Sequence, residues 1–408
     1  MLDPARIMER CDALARHSEL PGGLTRVFLS PQARAATDTV LGFMREAGMH
    51  AKLDAIGNAA GRYEGSRAGL PCLMLGSHLD TVRDAGKYDG MLGVITAIEC
   101  VHALNASGKR LPFAVEVIGF GDEEGVRFGT TLLGSRAVAG IFDRQALAAT
   151  DAAGTTMQQA LLDFGLDPAA IPRVARKKGE VLAYAELHIE QGPVLEAEGL
   201  AVGVVTAING FSRLRVTLRG AAGHAGTVPM RLRRDALAAA AECVLAVERV
   251  AQGQAEVVGT VGRIEAKPGA INVIPGEVAF TVDVRAPQDE LRHDAVAAVR
   301  SEIESVCRKR RIDAAVETLQ EFGSTVCSPW LMQQMDEAVK RQGLRVRRLP
   351  SGAGHDGMAL KAITEICMLF VRCKAGISHS PLESITEADA AAGAKVLLDF
   401  IEHFRLPA

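Results

Sequence analysis

Cys72-Leu73-Met74-Leu75-Gly76-Ser77-His78-Leu79-Asp80-Thr81 is the stretch that decides the fold. A short apolar run ends at a glycine, and an imidazole and a carboxylate follow at once. Cys72–Gly76 reads as a buried strand. In open α/β sheets ligands bind at the carboxyl ends of strands, which is where His78 falls. Asp80, two residues on, is placed to accept a hydrogen bond from the imidazole and so to set its tautomer. Taken alone, a loop histidine beside a turn-forming aspartate explains the pair equally well.

Working outward, Phe113–Phe120, Ala183–Ile189 and Ile366–Val371 repeat the pattern of short apolar runs bounded by Gly, Pro or charge. Helical stretches at Pro31–Ala47 and Met91–Leu104 alternate with them, which predicts an α/β sheet covered on both faces. From Phe211 to Gln320 the rhythm changes. Leu214–Leu218, Glu256–Ile264, Val278–Val284 and Ile312–Leu319 read as strands, and Asp235–Ala251 and Glu290–Arg308 as helices. This β-α-β-β-α-β order fits a small ferredoxin-like α+β sandwich. The expected organisation is a catalytic domain of residues 1–210 and 321–408, interrupted by a lid-like domain at 211–320.

The chain has 408 residues, 48% hydrophobic and 23% charged, which excludes global disorder. A net charge of -3, one Trp and three Tyr argue against a nucleic-acid partner, since neither a basic surface nor base-stacking platforms are available. The first residues carry charge and no apolar h-region, so no signal peptide is expected. The longest uncharged apolar stretch, around Leu200 to Ile208, is too short to span a bilayer, so no membrane partner is expected. Eight scattered cysteines without a Cys-x-x-Cys pair predict reduced thiols in a cytoplasmic protein and no cysteine-based zinc site.

Four further segments carry polar groups at predicted strand ends or loops. Asp89 in Gly86-Lys87-Tyr88-Asp89-Gly90 could simply cap the next helix. Gly121-Asp122-Glu123-Glu124-Gly125 follows Phe113–Phe120 directly. Its adjacent carboxylates repel one another and a bound cation would offset that cost, although a solvated acidic turn needs no ion. His188 closes a strand in Glu186-Leu187-His188-Ile189-Glu190-Gln191-Gly192-Pro193, and His379 lies in Gly376-Ile377-Ser378-His379-Ser380-Pro381. Each has a structural explanation by itself. Together, three histidines and several carboxylates at the ends of strands in one sheet, without cysteine, suit a catalytic transition-metal site. A bridging carboxylate would give enough ligands for two ions, ~3.5–4 Å apart in sites of this kind.

This set of motifs, joined by Gly223-His224-Ala225-Gly226-Thr227-Val228-Pro229-Met230, resembles the hydantoinase/carbamoylase branch of the metal-dependent aminoacylase–carboxypeptidase superfamily over nearly the whole chain. That branch holds N-carbamoyl-L-amino-acid hydrolases, β-ureidopropionases and allantoate amidohydrolases. The resemblance implies a metallohydrolase domain with a central mixed sheet flanked by helices, and an inserted domain that serves as lid and dimerisation unit of a homodimer. It implies two divalent ions (Zn, Mn, Co or Ni), bridged by Asp89, with His78 and His188 completing one site and Glu124 and His379 the other. Glu123 would be the general base and Asp80 the orienting residue. His224 would polarise the substrate carbonyl, reaching the partner subunit's active site. Asn272 and Arg285 would bind the substrate carboxylate, and Gln191 would make a further contact. From the residues alone, Arg285 is equally a surface arginine paired with Asp283 or Glu277. Ser351-Gly352-Ala353-Gly354-His355-Asp356-Gly357 also fits the branch, without a role for His355.

The implied activity is hydrolysis of a carbamoyl or ureido C–N bond in a small carboxylate-bearing substrate, an N-carbamoyl-L-amino acid or allantoate, with release of ammonia. The alternative is a metallopeptidase or aminoacylase of the same superfamily, acting on a dipeptide or N-acyl amino acid. A non-catalytic binding protein is disfavoured by the retained Glu123 and ligand set. A nucleotide site is disfavoured by the acidic residues after Gly119-Phe120-Gly121.

Overall fold

Four parallel strands carry the architecture: Ala114–Phe120, Cys72–His78, Val181–Ile189 and Ile366–Val371 lie side by side in that order in a computed structural model describing residues 2–407. Antiparallel strands flank them, Ala59–Tyr63 and then His50–Leu53 on one side and Val202–Ile208 on the other. The sheet is therefore mixed. Every residue of Cys72–His78, Ala114–Phe120 and Ile366–Val371 is buried, as parallel strands covered on both faces require.

Helix Met91–Ala106 explains part of that cover. It is apolar all round and buried along almost its whole length, packed on Cys72–His78 and Val181–Ile189. Gly93 lets it approach closely, since a Cβ there would strike the Leu187 carbonyl. Helices Pro4–Ala15 and Glu387–His403 pack against it, and Glu387–His403 also meets Pro329–Arg341 and Ile366–Val371. Pro31–Glu46 covers the edge hairpin, and Leu133–Val138 packs with Gly357–Leu360.

By its internal contacts the chain divides into two units. One runs to Thr206 and comprises in addition Cys327–Leu349 and the chain from Ala353 on; the other is Ala207–Val326 with Pro350–Gly352. The second unit holds a four-stranded antiparallel sheet ordered Asp313–Phe322, Gly210–Arg219, Glu277–Ala286 and Val258–Lys267. Burial alternates residue by residue along Gly210–Arg219 and Glu277–Ala286, so one face is dry. Helices Ala236–Gln252 and Asp289–Arg310 close that face over Leu214, Val216, Phe280, Val282, Ala240, Val299 and Ile303. The chain order is β-α-β-β-α-β, with the first and third strands central.

All eight cysteines are buried and free. No helix among the described residues is long and apolar enough to cross a membrane.

Candidate metal centre

Because the four central strands are parallel, their carboxyl ends lie at one edge of the sheet. Their registers set His78 beside Phe120 and His188 beside Phe370. The loops that follow bring in the rest. Asp89 Oδ1 lies 3.4 Å from His78 Nε2 and 3.1 Å from His188 Nε2, while Asp89 Oδ2 lies 3.1 Å from His379 Nε2. His379 Nε2 is also 3.2 Å from Glu124 Oε1. Ligand atoms of His78, Asp89 and His188 fall within 4.8 Å of one another, as do those of Asp89, Glu124 and His379 and those of His78, Glu123 and Glu124.

The other ring nitrogens show what this arrangement calls for. His78 Nδ1 lies 3.0 Å from the Asp80 carbonyl and His188 Nδ1 2.9 Å from the Ile189 carbonyl. A carbonyl can only accept, so each Nδ1 carries a proton, and each Nε2 is left facing a carboxylate oxygen. An Nε2 about 3 Å from a carboxylate oxygen calls for a positive charge there, either its own proton or a metal ion in the proton's place. The donor set, three imidazoles and carboxylates without sulfur, fits a divalent transition metal. Without an ion, protons on the imidazoles supply that charge. Burial opposes ionisation of Asp89, yet hydrogen bonds with His188, His379 and His78 hold it well below the usual carboxylate range. His379 is pushed up to about 10 by Asp89 and Glu124. The place between these groups favours a cation.

Glu123 differs from its neighbour Glu124. It is 9% exposed, and burial, only partly offset by His78, drives its carboxyl well above the ordinary range. A glutamate of that kind is suited to taking and returning a proton. Asp80 orients this pair through the main chain: Oδ1 accepts the Glu123 N–H at 3.0 Å and Oδ2 the Glu124 N–H at 3.2 Å. The imidazole bond expected from its carboxylate is made by its carbonyl instead, and Oδ1 stays 3.9 Å from His78 Nδ1. Nor does Asp89 cap the following helix. Gly90 is the N-cap and makes no side-chain bond there. With φ at 71° and the His78 ring 2.6 Å from where a Cβ would stand, position 90 admits only glycine without distortion. Asp122, Gln191 and His379 also have positive φ (59°, 56° and 54°), each costing on the order of 1–2 kcal/mol in a residue with a side chain. Such strain clusters where a site demands it.

Gln191 belongs to this cluster, its Nε2 3.0 Å from Asp89 Oδ2. Three further residues were given no role by the sequence reading. Glu186 is fully buried and accepts from Ser77 Oγ (2.7 Å) and Tyr184 Oη (2.9 Å). Its ligand atoms lie near those of His188 and His355, but its oxygens are already engaged. His355 is buried edge-on against His188, ring centroids 4.5 Å apart. Glu383 accepts the Tyr88 and Asp89 amides. The only available signal for Glu383 was an acid shortly after His379, which by itself indicates nothing.

His224, Asn272 and Arg285 lie in the second unit. His224 pairs with Val273 in a two-residue ladder and is exposed, its Nδ1 accepting the Gly226 N–H at 3.0 Å. The Asn272 carbonyl accepts the Ala225 N–H. Arg285 forks onto Asp283 at 2.9 and 3.0 Å, and its third nitrogen donates to the Gly352 carbonyl at 2.7 Å. The surface-pair alternative for Arg285 thus describes its present partner.

A mixed α/β sheet that gathers histidines and carboxylates at its parallel strand ends, in a chain whose relatives are amidohydrolases, makes this protein a metal-dependent hydrolase acting on C–N bonds. Residues 74–403 match Peptidase family M20/M25/M40, and the chain belongs to that family. It is 43% identical to an N-carbamoyl-L-amino acid amidohydrolase of Geobacillus stearothermophilus over 398 residues, 97% of each chain. It is 42% identical to a probable allantoate deiminase of Oryza sativa subsp. japonica, over 96% of this chain and 87% of that one. Among solved structures, an amidase of the hydantoinase/carbamoylase family from Burkholderia multivorans superposes with a TM-score of 0.92 at 34% identity, over 98% of this chain and 97% of that one.

Proposed function

We propose that the protein is a dinuclear-metal amidohydrolase that cleaves the carbamoyl or ureido C–N bond of a small carboxylate-bearing substrate, an N-carbamoyl-L-amino acid or allantoate, and releases ammonia. One observation carries the two-ion reading: the two oxygens of Asp89 face different sets of imidazoles. In this reading His78, Asp89 and His188 hold one divalent ion, and Asp89, Glu124 and His379 the other, with Zn, Mn, Co or Ni all compatible with the donors. Bound ions would supply Lewis acidity and lower the pKa of water.

Glu123 removes a proton from the attacking water and returns it to the departing nitrogen, and its raised pKa supports both halves of that task. Asp80 keeps Glu123 and Glu124 on divergent tasks by gripping both their amides. Arg285 receives the substrate carboxylate in exchange for Asp283, a bidentate swap that suits a guanidinium. Asn272 and Gln191 assist binding, and His224 donates to the oxygen on which charge develops. Residues 211–320 form the lid and dimerisation domain between catalytic parts 1–210 and 321–408. The working form is a cytoplasmic homodimer, and eight free, buried thiols support a reducing compartment.

The test is ammonia release from metal-reconstituted protein with allantoate and a panel of N-carbamoyl-L-amino acids, beside release of free amino acid from dipeptides and N-acetyl amino acids. Turnover confined to the last two groups overturns the proposal in favour of a peptidase or aminoacylase.

A further inference from the structure

We infer that Glu383 is a positioning residue that ties the loop carrying Asp89 to the loop carrying His379, and so holds the two oxygens of Asp89 toward their separate imidazoles. The inference rests on the two-ion reading for its consequence and on geometry for its cause.

Glu383 is 5% exposed and stands in no ligand grouping. Its Oε1 accepts two main-chain amides from a segment almost three hundred residues earlier, Tyr88 N–H at 2.8 Å and Asp89 N–H at 3.1 Å. Its Oε2 lies 3.0 Å from Ser378 Oγ, which is also 3.1 Å from Asp89 Oδ2. Gln191 Nε2 reaches Ser378 Oγ at 3.1 Å and Asp89 Oδ2 at 3.0 Å. The proton count closes. The amide of Gln191 has two hydrogens, one for Asp89 and one for Ser378, which leaves the single hydroxyl proton of Ser378 for Glu383. The hydroxyl proton of Ser378 is then not divided between the two carboxylates.

Two steric facts indicate that the clamp is specific. Gly86 lies directly against the Glu383 side chain, and a Cβ at position 86 would collide with it. His379 sits beside this clamp at φ 54°, a backbone state that a residue with a side chain keeps only when its surroundings impose it. The turn from Ser378 to Glu383 is closed by the Glu383 N–H on the Ser380 carbonyl. One carboxylate thus satisfies buried amides next to Asp89 and fixes the turn that presents His379. Outer partners of ligands act this way, and their loss typically lowers metal affinity ~10–100-fold.

The experiment compares wild type, Glu383→Ala, Glu383→Gln and Ser378→Ala by amide hydrogen exchange on metal-free protein and by titration with Mn²⁺. Glu383→Ala is expected to speed exchange in 86–90 and 376–383 together, by about tenfold, the factor for one buried hydrogen bond. Its Mn²⁺ affinity is expected to fall ~10–100-fold. Glu383→Gln retains an acceptor for the two amides and a polar atom for Ser378, and is expected to restore both readings. Ser378→Ala is expected to loosen 376–383 and leave 86–90 unchanged, which keeps the inference testable if Glu383→Ala fails to fold. Unchanged exchange at 376–383 in Glu383→Ala or Ser378→Ala, unchanged Mn²⁺ affinity in Glu383→Ala, or a glutamine variant as impaired as alanine, overturns it. A wild type that binds no Mn²⁺ strikes the two-ion reading, and the exchange data then decide the clamp alone.

Discussion

The small sandwich of Ala207–Val326 and the strand-end cluster of the large sheet obey opposite rules. In the sandwich, burial alternates strictly along Glu277–Ala286, and its charges pair mostly near water, as Arg213 does with Asp283 and Arg263 with Glu265. In the cluster, Asp80, Asp89, Asp122 and Glu123 are all buried and at least two backbones are held in left-handed conformations beside them. Local rules govern where only stability is at stake, and they are broken together where chemistry has to be held ready. Outside His224, Asn272 and Arg285, the sandwich is the region expected to tolerate change on its surface and not in its core. The cluster is expected to trade stability for activity.

That contrast can be broken in four ways. Dialysis against a chelator is expected to abolish ammonia release, and Mn²⁺, Co²⁺, Ni²⁺ or Zn²⁺ to restore it; a metal at one hundred times its Kd adds about 2.7 kcal/mol of stability, read as a rise in Tm. Glu123→Gln is expected to lower kcat by about 10²–10⁴ while bound metal is retained and Tm holds or rises, because a buried carboxylate among others is removed. A fall in Tm with activity preserved would refute the assigned trade. Phe280→Ala, in the sandwich core, is expected to cost about 3–5 kcal/mol in denaturant unfolding of that unit with metal affinity untouched. Glu265→Gln, which removes one member of an exposed pair, is expected to leave both Tm and turnover where they were.

Much of this was legible in the residues. Ile366–Val371 reads as a strand with its observed bounds, and the β-α-β-β-α-β rhythm between Gly210 and Phe322 needs only periodicity and turns. His78, Asp89, Glu124, His188 and His379 stand out because imidazoles and carboxylates at strand ends are costly without a purpose. Glu383 does not stand out. Its partners are main-chain amides, present at every position, so no residue type marks them. Asp80 shows a finer limit: the pattern His-x-Asp announced a bond to the imidazole but could not say which oxygen of the aspartate makes it. The helix after Asp89 offered a cap that the structure uses differently, because the carboxylate is drawn to three imidazoles instead.

By itself the sequence determined element types and the kinds of ligand present, since both follow from spacing over a few residues and from side-chain chemistry. Only the tertiary structure decided which atoms meet: that the two oxygens of Asp89 part company toward different rings, that Glu123 is dried out while its neighbour faces His379, and that Glu383 grips a distant loop. Those outcomes depend on strand register and loop closure across hundreds of residues, and no local pattern encodes the distance between two side chains brought together that way.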